Sequence, residues 1–264
     1  MPEDLNKLTL NDFRKDPELM FSFLDFFLGF KPYNYQKKFL LACLKTNRIV
    51  GKWCRQSGKS TTVAAYCAFR CLIQPTTIII TAPTLTHSSE LYSKIRTFMT
   101  SKEFIKQKIT RLTQTELTIN NNSRIKALPS GVEGKSIRGF TADVTIEEEA
   151  GLINDEINNK IIMPLIASKK DEGQVIKIGT PETKNHFYRS CFIDPTFSVI
   201  NITWRDCVSE GQYTQAFVDE QKRNITDVEF ETEYEANFIE VLSSFFPLPL
   251  VQSSMVNYKL METL

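Results

Sequence analysis

The chain has 264 residues, enough for one large domain or one domain with a small appendage. Hydrophobic residues make up 42% and the formal net charge is +1, so a core is amply supplied and no global basic field announces nucleic acid. Six cysteines without a CxxC pair and two histidines argue against zinc and for free thiols, while an acidic start and an early apolar stretch broken by Asp25 exclude a signal peptide and a membrane span, predicting a cytoplasmic protein.

Taken along the chain, a helix is predicted over about 17–28 and another over about 35–45, after Lys31-Pro32-Tyr33-Asn34. Residues 48–53 read as an apolar strand and 61–70 as a helix. Between them lies Cys54-Arg55-Gln56-Ser57-Gly58-Lys59-Ser60. Strand, Gly-Lys-Ser, helix is the context of a phosphate-binding loop, whose backbone N–H groups and helix N-terminus point at phosphates. Arg55, Gln56, Ser57 and Gly58 would form the cradle. Lys59 would reach the β and γ phosphates, and the Ser60 hydroxyl would hold Mg²⁺. Trp53 stands where the standard pattern has its first glycine, and the alternative is a surface turn.

Residues 76–82 form a β-branched run that Pro83 ends, and 87–99 read as a helix. A hairpin is predicted from 115–120 and 123–128 around Asn121-Asn122. A strand over 144–147 then delivers Glu147, Glu148 and Glu149. Acids at a strand's C-terminal end suit a metal carboxylate followed by a general base. Glu147 is expected to bind Mg²⁺ and Glu148 to polarise the attacking water; three consecutive glutamates leave that register open by one, toward Glu149. The alternative is a solvated acidic loop. A helix over 154–167, strands over 174–179 and 197–204, and helices over 213–223 and 227–237 complete the pattern. The alternation predicts an α/β fold with a mostly parallel sheet covered on both faces, whose ligands bind at the strands' C-terminal ends. Thr180, at one such end, is expected to sense the γ-phosphate, although Thr-Pro more often marks a turn.

These residues resemble the large terminase subunit of tailed double-stranded DNA bacteriophages. Arg-Gln-Ser-Gly-Lys-Ser at 55–60 is similar to that family's divergent phosphate loop, which tolerates loss of the first glycine. Pro32-Tyr33-Asn34-Tyr35-Gln36 resembles its adenine motif, Thr81-Ala82-Pro83-Thr84 its second-strand motif, and residues 136–143 the segment before its acidic strand. Ile178-Gly179-Thr180-Pro181 with Asn185-His186-Phe187-Tyr188 resembles its coupling motif, and Tyr234 to Phe238 its segment toward the nuclease.

The resemblance implies a P-loop NTPase of the additional-strand, catalytic-glutamate type. The expected divisions are an N-terminal helical segment over 1–30, the ATPase domain over 31–240 and a linker toward an absent nuclease domain over 241–264, so no nuclease activity is expected. The implied function is the Mg²⁺-dependent ATPase motor that drives viral DNA into a procapsid in the host cytoplasm. Its implied partners are double-stranded DNA, the portal and procapsid, the small terminase subunit, and copies of itself in a ring, expected to be pentameric when assembled and monomeric in isolation. The alternatives are a superfamily-two helicase-like translocase and a nucleotide-gated scaffold without turnover.

Gln36 would read adenine, with Tyr33 or Tyr35 stacking, unless it merely caps a helix. Arg55 in cis or Arg138 in trans would serve as arginine finger, unless Arg138 simply pairs with Asp143. Lys102, Lys106, Lys108, Arg111, Lys169 and Lys170 are candidates for DNA phosphates or a solvated face.

Overall fold

The computed structural model describes residues 8–131, 134–182 and 184–239. The elements run α1 (Leu10–Lys15), α2 (Glu18–Phe23), α3 (Asn34–Lys45), β1 (Arg48–Trp53), α4 (Lys59–Ile73), β2 (Thr77–Ala82), α5 (Leu85–Thr100), α6 (Glu103–Lys106), β3 (Ile109–Leu112), β4 (Glu116–Ile119), β5 (Arg124–Pro129) and β6 (Val144–Glu148). Then come α7 (Asp155–Ile157), β7 (Gln174–Gly179), α8 (His186–Phe192), β8 (Ser198–Ile202), α9 (Trp204–Ser209), α10 (Gln215–Asn224) and α11 (Asp227–Glu233).

The eight strands form one sheet in the order β3-β4-β5-β2-β6-β7-β1-β8. The five strands β2, β6, β7, β1 and β8 are parallel, and β5 joins β2 in parallel; β3–β4 and β4–β5 pair antiparallel. The central strands are β-branched and buried nearly end to end, as strands covered on both faces must be. β7 lies between β1 and β6, the insertion that defines the additional-strand P-loop NTPase fold. The predicted hairpin is β4–β5, turned by Asn122 at φ +68°.

Two apolar layers cover the sheet. On one face α4 buries Val63 through Phe69 against Ile78, Ile80, Val144, Ile146, Ile176 and Ile178. The N-terminal helices join this layer, with the Phe13 and Phe23 rings set edge-on to Phe69 at 4.9 and 5.4 Å. On the other face Val50, Ile79 and Val175 meet Ile157, Ile162 and Phe187.

Sequence and structure part at several elements. The helix expected over 154–167 is broken into α7, a π-type turn at Asn158–Ile162 and a 3₁₀ segment at Met163–Glu172. Pro164 explains the break, since it lacks an N–H and crowds the preceding turn. The first predicted helix stops as an α-helix at Phe23 and continues as a π-type turn to Leu28. α1, α9 and β3 were not foreseen. α1 does carry a local start signal, for the Asp12 carboxylate accepts from both the Thr9 N–H and the Thr9 hydroxyl. The expected linker over 241–264 lies outside the described residues.

Candidate functional site

β1 runs into the Gly-Lys-Ser loop as expected, and α4 starts at Lys59. Trp53 points away from the loop into the core, fully buried, with its indole edge-on to Tyr35 and Phe39. An indole can therefore replace the customary glycine without filling the cradle. The loop is buttressed from beneath. Ser57 Oγ donates to Cys54 O at 2.6 Å, and the Tyr35 hydroxyl donates to Ser57 O at 3.0 Å. The Tyr213 hydroxyl donates to Arg55 O, and the Arg55 N–H to Glu233 O at 2.8 Å. Gly58 has φ +79°, and a Cβ there would lie 2.6 Å from Gln36 Nε2. Both facts demand glycine. No side chain caps α4, so its first N–H groups remain available to an anion.

β6 brings its acids to the same end of the sheet, with a change of register. The Ser60 hydroxyl donates to Glu148 Oε1 at 2.7 Å, and Lys59 Nζ lies 3.2 Å from Glu149 Oε1. Glu147 is wholly buried on the opposite face, 3.8 Å from Lys177 Nζ and 3.7 Å from His186 Nδ1. Glu147, expected to bind Mg²⁺, thus faces away from the loop, and of the three acids it is Glu148 and Glu149 that meet Ser60 and Lys59. Side chains alternate along a strand, so neighbours cannot both face the loop. Glu149 escapes that constraint because it follows the strand in a left-handed conformation, φ +51°.

Burial pushes the Glu148 carboxyl up, while Lys59 pulls it back and Glu149 adds to the rise. Glu148 Oε2 is buried without a hydrogen-bond partner. An orphaned carboxylate oxygen beside a serine hydroxyl is a hard-oxygen donor set that suits Mg²⁺, which takes its remaining ligands from phosphates and water. Among the described residues no cluster of three or more His, Cys, Asp or Glu could hold a metal alone.

The cleft above these groups measures about 400 Å³, and Arg55, Lys59, Ser60, Glu149 and Thr180 line it. Thr180 reaches it because Gly179 lets the loops after β6 and β7 close together; a Cβ there would meet Ala150 N at 3.2 Å. Arg55 sits at the rim, 3.4 Å from Glu233. Burial together with Glu233 and Glu149 raises the Glu182 carboxyl, so the acidic side of the cleft is strained by like charge.

Other predicted residues stand differently. Gln36 is 3% exposed, and its Oε1 accepts the Tyr33 N–H at 3.0 Å, the capping contact named as its alternative role. Tyr35 is buried under the loop, stacked on a half-buried Tyr33. Arg138 lies on an exposed turn and does not line the cleft. Asp143 is engaged by Lys169 at 2.7 Å and by the Thr77 N–H, so the proposed pairing with Arg138 is absent. Lys102, Lys106, Arg111 and Lys170 are exposed, and Lys106 and Arg111 face Glu103 and Glu116. The cleft residues that escaped the sequence reading include His87 and Lys94 of α5. Neither sits in a motif, and the signal would have been their seven-residue spacing on a helix that follows a strand end.

A family model described as "Terminase large subunit, T4likevirus-type, N-terminal" matches residues 53–253. No curated protein sequence matches the chain. Among solved structures, the large terminase ATPase domain of Thermus phage P74-26 aligns with a TM-score of 0.69 at 20% identity, covering 81% of this chain and 97% of that one. The HK97 bacteriophage large terminase aligns at 0.69 and 16% identity, covering 84% and 55%. The large terminase of another thermophilic bacteriophage, solved in complex with ADP, aligns at 0.61 and 12% identity, covering 79% and 54%. The chain thus spans about half the length of the last two proteins. At these identities the likeness is one of fold.

Proposed function

Because the chain belongs to the T4-like-virus type of the terminase large subunit family, we propose that it is the Mg²⁺-dependent ATPase motor that powers DNA translocation into a procapsid. The carrying observation is the convergence of Ser60 on Glu148 and of Lys59 on Glu149 at the mouth of an uncapped helix. The thermophilic-phage terminase's complex with ADP adds weight to a nucleotide ligand.

The roles follow from position. The loop backbone and the α4 N-terminus bind the phosphates. Lys59 exchanges Glu149 for the β and γ phosphate oxygens. Ser60 and Glu148 would hold Mg²⁺, which supplies charge neutralisation for the triphosphate. Glu149, released from Lys59, orients a water and accepts its proton. Thr180 offers a hydroxyl to that water or to the γ-phosphate. Arg55, held at the rim by Glu233, orders the loop. Arg138, exposed and away from its own cleft, is placed to reach a neighbouring subunit in a ring.

Phosphate release measured with and without Mg²⁺, on wild type and Lys59→Ala, tests this reading. Turnover that requires Mg²⁺ and vanishes in Lys59→Ala is expected; unchanged turnover in the variant would overturn it. The portal, the procapsid, the small subunit, double-stranded DNA and the pentameric ring belong to the same proposal.

A further inference from the structure

α5 follows β2 and packs on β2, β5 and β6, the strand that carries the acids. Its N-terminus is capped by Thr84, whose Oγ1 accepts the His87 N–H at 3.3 Å. His87 and Lys94 stand seven residues apart on one face, about 10 Å along the axis. Both line the cleft that contains Lys59, Glu149 and Thr180.

The chemistry of these two side chains is unused. His87 Nδ1 is buried and has no hydrogen-bond partner. Lys94 makes no ion pair or hydrogen bond among the described residues. The other cations differ. Lys59 is engaged by Glu149, Arg55 by Glu233, and Arg138 lies outside the cleft.

We propose that Lys94 is a catalytic cation supplied in cis by α5, contacting the transferring phosphoryl group, with His87 hydrogen-bonding beside it. This rests on the ATPase reading above. A lysine suits the role because its ammonium is a compact charge on a flexible stem that can follow negative charge as it spreads over the phosphoryl oxygens. Lys94 is exposed, so its truncation leaves the core intact.

Lys94→Ala and Lys94→Arg are compared with wild type for kcat and KM, and for binding of MgADP with and without aluminium fluoride, a mimic of the transferring phosphoryl group. Lys94→Ala is expected to lower kcat about a hundredfold, leave MgADP affinity unchanged and lose the extra affinity that fluoride confers. Lys94→Arg should restore much of both. Mixing Lys94→Ala with Glu149→Gln should give no recovery, because cation and base act in one subunit. Unchanged kcat, equal loss of both affinities, or recovery on mixing would each overturn the proposal. A wild type that binds MgADP but is insensitive to Lys94→Ala sinks this inference alone, whereas one that binds no nucleotide sinks the ATPase reading with it.

Discussion

The Ser60 hydroxyl and the Glu148 carboxylate meet at 2.7 Å across the gap between α4 and β6, one residue further along the acidic run than a metal ligand at Glu147 would require. On the proposed reading Glu148 is the metal ligand and Glu149 the base, and variants of the two separate these roles. Glu149→Gln is expected to bind MgATP normally and to lose about a thousandfold in turnover, because an amide cannot take the water's proton. Glu148→Ala should instead weaken Mg²⁺-dependent binding. Single-turnover hydrolysis beside nucleotide titrations at varied Mg²⁺ separates the two. An inactive Glu148→Gln with an active Glu149→Gln would return the base to Glu148.

The parallel sheet and the strand–loop–helix around Gly58-Lys59-Ser60 were legible because both are written locally. β2 is a continuous β-branched run, and Gly58-Lys59-Ser60 sits between an apolar strand and a helix. The acid register was not legible, since three identical residues carry no mark of which way each faces. Pleating settles it, with Val144 and Ile146 packed under α4 and Glu147 turned to the far layer. His87 and Lys94 were hidden for a related reason. They reach the cleft only after β2 has been placed beside β6. Gln36 shows the converse: both its motif and the alternative of a helix cap were legible, and the cap is the contact that engages its oxygen.

Gln36 and Gly58 form a steric pair, and substitutions there should act on the loop. Gly58→Ala forces a Cβ to within 2.6 Å of Gln36 Nε2 at a φ of +79°. Loss of both ATP and ADP binding is expected, with a near-native melting temperature, since the strain is confined to the loop. Gln36→Ala removes the contact with the Tyr33 N–H and should weaken ATP and GTP together. Competition titrations of the two nucleotides check this, and a selective loss of ATP would restore adenine reading to Gln36.

Arg138 is exposed on the turn after β5 and absent from its own cleft, so its expected action is on a neighbour. Turnover per subunit should rise with protein concentration. Arg138→Ala should lower it by about a thousandfold, the scale of a supplied arginine. Mixing Arg138→Ala with Glu149→Gln should recover part of the activity, because some interfaces then join an intact arginine to an intact base. Turnover independent of concentration, with no recovery on mixing, would assign the role to Arg55 in cis.

Glu147, Lys177 and His186 form a buried polar trio behind the acid strand. Lys177 Nζ sits 3.0 Å from both Asn158 Oδ1 and His186 Nδ1, while both Glu147 oxygens lack hydrogen-bond partners and answer Lys177 through charge alone. Burial raises the Glu147 carboxyl and lowers the Lys177 ammonium, each countered by the other. Removing one partner strands a charge, so Glu147→Ala should destabilise the fold by about 3–5 kcal/mol. Glu147→Leu combined with Lys177→Met should recover most of that, since an apolar pair of similar size has no charge to bury. His186 adds a pH dependence of definite sign. Burial and the neighbouring Lys177 push its imidazole from an ordinary 6.5 down to about 3. The unfolded chain therefore binds this proton first, so the stabilisation is complete above about pH 6.5 and drains away as pH falls toward 3. His186→Gln should flatten the slope of unfolding free energy against pH across that window. Denaturant melts at several pH values measure it, and a slope unchanged in the variant would mean that the imidazole is already charged in the folded protein.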